Sequence, residues 1–208
     1  MPSDVLPSDK QLSPRFDEAL AYSSKLHRSQ PRKGTPIPYV SHLLGVASLV
    51  IEYGGTETEA IAALLHDAVE DQGGVERRAE IARRFGEDVA VIVDGCTDAV
   101  ENPKPAWEER KKKYVAHART ASPSVKLVSA ADKLYNARAS LRDYRRIGDE
   151  VWSRFSAKKP QIFWYYTSLV DALGAGADAR GAELVGELDR VVKELVALAG
   201  APASRTTI

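Results

Sequence analysis

Residues 62–71 read AALLHDAVED, a run of small and apolar residues that leads into His66, Asp67, Glu70 and Asp71. Burying four such titratable groups without partners costs several kcal/mol per charge, so the cluster calls for a cation, opposite charges or water. A cation is the economical solution. On a continuous helix His66 and Asp67 stand about 100° apart, from where an imidazole nitrogen and a carboxylate oxygen can converge on one ion. Glu70 and Asp71 lie one turn further along the same side, where they can orient water. The bland reading is a hydrogen-bonded core histidine beside a helix-end aspartate, and the His-Asp dipeptide alone does not separate the two.

Two other segments add to it. YVSHLLGVA, residues 39–47, sets His42 at the start of a helix just after a loop, with Ser41 as its expected cap. LVSAADKLYNARA, residues 127–139, sets Asp132 inside an apolar stretch, with Asn136 four residues on and therefore on the same helical face. A buried aspartate there demands a partner, and a metal is one.

Further out, prolines mark the layout, because proline inside a helix removes a hydrogen bond and clashes with the preceding turn. None occurs between Tyr39 and Asn102, whereas SQPRKGTPIPY, residues 29–39, is too broken to be helix. Apolar positions recur at helical spacing in Phe16, Ala19, Leu20, Ser23 and Leu26, then in Leu43, Val46, Ala47, Val50 and Ile51. Thr56 with Glu59 fits a capping box opening a helix that runs to about Ala68. Gly86 reads as a stop, with Asp88 opening the next helix toward Asp94. Further helices are expected over 107–118, 125–144, 159–173 and 179–198. Strand-like alternation is nearly absent, and no repeat or second composition regime appears. The expected fold is all-α, a single helical bundle over residues 15–200, with a flexible N-terminal segment, 1–14, and a flexible tail, 201–208.

Composition narrows the function classes. Among the 208 residues, 29 Lys and Arg balance 29 Asp and Glu, so no net field favours nucleic acid or an anionic membrane. The charge runs ERRAEIARR, 76–84, and EERKKK, 108–113, read as solvated faces. The single cysteine, Cys96, reads as a small buried hydrophobe and suits a reducing compartment. No apolar run reaches the roughly 18 residues of a membrane span, and the N-terminus lacks a signal-peptide layout, so a cytoplasmic protein is expected. His27 and His117 read as helix-surface residues, and Phe163–Tyr166 as core or subunit contact. The apolar, aromatic C-terminal region suits a homodimer or a final helix packed on its own core.

The order His42, His66-Asp67, Asp132, with the pair inside LLHDAVED and the last aspartate inside KLVSAADKLYN, resembles the HD metal-dependent phosphohydrolases. Within them it is most similar to the hydrolase half of RelA/SpoT-type alarmone enzymes and the stand-alone small alarmone hydrolases. The similar pieces run from AYSSKLHRSQPRKGTPIPYVSH, 21–42, through FGEDVAVIVDGCTD, 85–98, to about residue 170. The resemblance implies that His42, His66, Asp67 and Asp132 are metal ligands, with manganese (Mn2+) the usual ion. It implies that Glu70 and Asp71 activate or position the attacking water, and that Arg32, Lys33, Tyr39 and Asn136 contact the nucleotide substrate. WSRFSAKKPQIFWYY, 152–166, aligns loosely with a helix that offers a cation and an aromatic, which points to Lys158, Lys159 and Tyr165. The loop reads RKGTPIPYVSHL, with altered spacing to His42, and Gln72 stands where the family has threonine.

The implied activity is hydrolysis of the 3′-pyrophosphate of ppGpp or pppGpp. The same site could serve an adenine alarmone, the 2′-phosphate of NADPH or a nucleoside monophosphate, and a non-catalytic nucleotide sensor is the reading from another class. The intact ligand set and acidic pair argue against the sensor.

Overall fold

A computed structural model describes residues 6, 11–98, 103 and 105–200. Most of segment 1–14 and all of 201–208 lie outside the described residues. Those described are α-helical, with one 3₁₀ helix and an isolated β-bridge between Pro31 and Pro38, and no strand occurs among them. The all-α expectation holds. None of their helices is long and apolar enough to cross a membrane. The chain forms two compact units, residues 1–104 and 105–208.

The first unit contains α1 (Pro14–Leu26), α2 (Val40–Glu52), α3 (Glu57–Leu65), α4 (Ala68–Asp71), α5 (Gly74–Phe85) and α6 (Glu87–Cys96). At its centre is α3, packed against α1, α2 and α6. Its sequence explains the position. Ala60, Ile61, Ala62, Ala63, Leu64 and Leu65 are all 0% exposed, and a helix that is apolar all round must be buried. Both halves of the expected capping box form at its start: Glu59 N–H donates to Thr56 Oγ1 and Thr56 N–H donates to Glu59. Gly86, at φ +95°, ends α5 and opens α6; a Cβ there would clash with Asp88 Oδ1.

Two expectations fail here. The helix from Thr56 does not run through to Ala68: it stops at Leu65, and α4 starts at Ala68 beyond Asp67. Nor is Ser41 the cap of α2. Tyr39 takes that position without a side-chain bond, because Ser41 N–H already donates to Pro38 O and His42 N–H to Tyr39 O. Ser41 Oγ is buried there with no hydrogen-bond partner.

The second unit contains α7 (Trp107–Thr120), α8 (Pro123–Ile147), a 3₁₀ helix (Gly148–Arg154), α9 (Lys159–Gly174) and α10 (Ala179–Gly200). Ser122 caps α8 through Val125 N–H, and Pro123 occupies its first turn, where a missing N–H costs nothing. The long α8 packs on α10 and α9, and α7 packs on α9. The final helix thus packs on the core of its own unit. Lys126 is buried, and its ammonium donates to the carbonyls of Arg119, at the end of α7, and Ala175, just past α9. Helix C-termini leave carbonyls without helical partners at their negative ends, and one buried cation satisfies two of them. Asp143 is likewise buried, held by Arg154 at 2.6 Å and Arg142 at 3.1 Å.

Candidate metal centre and acidic pair

His42 lies in the first turn of α2, and His66 and Asp67 occupy the break between α3 and α4. The break re-aims the dipeptide. Asp67, at φ −98° and ψ −2°, lies off the helical minimum, so its carboxylate meets both imidazoles. His66 Nε2 is 3.0 Å and His42 Nε2 is 3.5 Å from Asp67 Oδ2. The ligand atoms of all three residues lie within 4.8 Å of one another. Both histidines are 1% exposed and the Asp67 side chain 21%. His66 Nδ1 is 2.8 Å from the carbonyl of Ala63. A carbonyl only accepts, so Nδ1 carries the proton and Nε2 keeps the lone pair a metal needs. Two buried imidazole nitrogens and one carboxylate oxygen, with one tautomer fixed from behind, fit a divalent transition-metal ion.

Around this trio the rings form a ladder. His27 stacks on Tyr39 at 5.3 Å, Tyr39 meets His42 edge-on at 5.4 Å, and His42 meets His66 at 5.1 Å. The Tyr39 hydroxyl donates to Asp67 Oδ2 at 2.5 Å. Tyr39, expected on the nucleotide, therefore also orients the Asp67 carboxylate. His27 corrects an expectation: it is 1% exposed, not a surface residue, because it continues the buried face of Ala19, Tyr22 and Ser23. Burial holds its pKa below the usual histidine value. His117 is exposed as expected, and Cys96 is buried.

The acidic pair lies on α4. Glu70 accepts from Asp98 N–H at 3.3 Å, and Asp71 Oδ2 accepts from Gln30 Nε2 at 2.8 Å. Asp71 keeps a solvent-exposed face, but protein crowds its carboxyl. Desolvation first, then the nearby Asp67 charge, pushes its pKa above the usual carboxylate range, with the Gln30 bond pulling the other way. Arg32 and Lys33 lie in the turn ahead of α2, pinned where Arg32 N–H donates to Ile37 O at 2.8 Å.

In the second unit Asp132 is 7% exposed. Asn136 Nδ2 donates to its Oδ1 at 2.5 Å, one helical turn on, as the i to i+4 spacing requires. Lys133 pairs with its Oδ2 and lies 5.1 Å over the Tyr114 ring. Burial opposes the charged Lys133, but Asp132, aided by Tyr165 and Tyr114, outweighs it and holds the pKa well above the ordinary lysine value. Tyr165 is buried, with Trp107 edge-on at 5.9 Å and Lys111 4.8 Å over its ring. Lys158 is exposed. Lys159 is engaged as a brace, its ammonium 2.7 Å from Asp149 and 2.9 Å from the Ala199 carbonyl. The residues that sequence reasoning passed over are Gln30 and Asp98, whose roles depend on contacts 41 and 28 positions away in the chain.

The HD domain family model matches residues 19–163. The Xenopus tropicalis protein named guanosine-3′,5′-bis(diphosphate) 3′-pyrophosphohydrolase MESH1 is 42% identical over 139 residues, covering 65% of this chain and 73% of its own. The Danio rerio protein of the same name is 40% identical over 158 residues, covering 74% of this chain and 80% of its own. A solved structure described as a metazoan ortholog of SpoT that hydrolyses ppGpp superposes with a TM-score of 0.71 at 30% identity, over 88% of this chain and 97% of that one. Divalent metal binding goes with the HD domain, and His42, His66 and Asp67 form a cluster that could hold such an ion. The chain belongs to the HD-domain family, among the MESH1-type pyrophosphohydrolases.

Proposed function

We propose that the protein hydrolyses the 3′-pyrophosphate of guanosine alarmones, taking ppGpp and water to GDP and pyrophosphate, and pppGpp to GTP and pyrophosphate. The observation that carries this reading is the convergence of His42 Nε2 and His66 Nε2 on Asp67 Oδ2, at 3.5 and 3.0 Å, at the start of the short helix that carries Glu70 and Asp71. The names of the 42% and 40% identical relatives support the substrate.

His42, His66 and Asp67 would hold the ion, with Asp132 as the fourth ligand that the family resemblance implies and Mn2+ as the metal. When bound, a divalent ion supplies a Lewis acid to a phosphoryl oxygen and lowers the pKa of water in its open position. Tyr39 orients Asp67 through its hydroxyl. Glu70 or Asp71 takes the proton of the attacking water, whose oxygen ends on the pyrophosphate while the ribose 3′-oxygen regains a proton. Arg32, Lys33 and Lys158 neutralise phosphate charge, and Asn136 and Tyr165 contact the nucleotide. Lys159, braced between Asp149 and Ala199, contributes through the placement of its helix. Residues 15–200 would act as one hydrolase domain in the cytoplasm, needing neither nucleic acid nor membrane; a homodimer suits the apolar C-terminal region.

The test is purified protein with ppGpp and Mn2+, the products resolved by phosphorus NMR. GDP with pyrophosphate is expected. Orthophosphate as the sole product would overturn the reading in favour of a monophosphatase, and nucleotide binding without turnover would overturn it in favour of a sensor.

A further inference from the structure

Between α1 and α2 a small polar network stands behind the acidic pair. Gln30 Nε2 donates to Asp71 Oδ2 at 2.8 Å. Its Oε1 is 2.7 Å from His27 Nδ1 and 2.6 Å from Gln72 Nε2. Its backbone is also fixed, Gln30 N–H donating to His27 O at 3.0 Å and Tyr39 N–H to Gln30 O at 2.8 Å.

These bonds admit one assignment of protons. A carboxylate only accepts, so the group facing Asp71 is the Gln30 amide NH2. The opposite end of that amide is then its oxygen, and both neighbours must donate to it. Gln72 does so through its own NH2, and His27 through a protonated Nδ1. That leaves His27 Nε2 as the lone-pair nitrogen, and it is buried without a hydrogen-bond partner. Two donors on one oxygen thus hold the amide against rotation, and the amide fixes one oxygen of Asp71.

We infer that Gln30 is a positioning residue for Asp71, its amide locked by His27 and Gln72 so that Asp71 Oδ2 is held and the other carboxylate oxygen is left to face the water. The inference rests on the proposed hydrolase reading. Gln30 acts through Asp71.

Gln30→Glu tests it, because the side chain keeps its size and packing but turns the donor facing Asp71 into an acceptor. The expected result with ppGpp and Mn2+ is a kcat lower by roughly 10–100-fold, with KM and Mn2+ affinity within about twofold of the parent protein. In an Asp71→Asn background the same change should cost less than about twofold, since the group being positioned is already gone. Gln72→Leu removes one of the two locking donors and should lower kcat by a smaller factor, which keeps the test decisive if Gln30→Glu fails to fold. A normal kcat in Gln30→Glu or Gln72→Leu beside a slow Asp71→Asn overturns this inference and leaves the hydrolase reading standing. So does a parallel loss of Mn2+ affinity, which would mean the site has collapsed. An Asp71→Asn protein at full rate overturns the role of Asp71 and this inference with it.

Discussion

Asp67 Oδ2 receives the Tyr39 hydroxyl and lies within 3.5 Å of two imidazole nitrogens. The His66 lone pair and the Asp67 carboxylate face one another, an arrangement that favours a cation. His66→Ala is therefore expected to reduce Mn2+ binding, followed by calorimetry, by at least about tenfold and to remove turnover; unchanged affinity would contradict the assignment. Asp143 shows the contrasting case of a charge kept for structure. Burial raises its pKa, but the bonds from Arg142 and Arg154 outweigh that and hold it below the ordinary carboxylate value. A folded pKa depressed below the unfolded one contributes stability above the unfolded value, lost as pH falls through the folded value. Asp143→Asn should cost about 1–3 kcal/mol in urea unfolding at pH 7, and the gap from the parent should narrow in acid.

Most helices could be read from caps and spacing. Thr56 with Glu59 opened α3, Gly86 divided α5 from α6, and Pro123 and Lys159 fall at the starts of α8 and α9. The break at His66 and Asp67 could not, because the apolar pattern runs across it and His66 keeps helical dihedrals, φ −58° and ψ −30°. Only the turn of the Asp67 carboxylate toward His42, 25 positions earlier in the chain, distinguishes it, and periodicity carries no such long-range term. His27 is a related case: its spacing from Ala19 and Ser23 puts it on the buried face, whereas its polarity points to solvent. At this scale Thr56→Ala should lower stability by about 1 kcal/mol through loss of the cap. Gly86→Ala should cost more than about 1 kcal/mol, since φ +95° strains any L side chain and the new Cβ would meet Asp88. Thermal melts of the two proteins check both.

For the molecule as a whole, two compact units carry separate cores, one around α3 and the other around α8. Leu134 is 0% exposed in the α8 core, and Leu134→Ala should destabilise by about 2–5 kcal/mol in denaturant unfolding. The family was legible because His42, His66, Asp67 and Asp132 occur in a fixed order within long motifs. The support behind them, from Gln30, Gln72 and Asp98, was not, since each acts through a tertiary hydrogen bond. Equal numbers of acidic and basic residues leave no net field to draw in an anionic nucleotide, so recognition falls to local groups. The most direct measurement is ppGpp turnover by the parent and His66→Ala proteins, with and without added Mn2+, quantifying pyrophosphate. Metal-dependent release of pyrophosphate and GDP by the parent protein, lost in His66→Ala, is the predicted result. Equal release by both proteins, or release indifferent to metal in a chelator-stripped sample, would contradict the account.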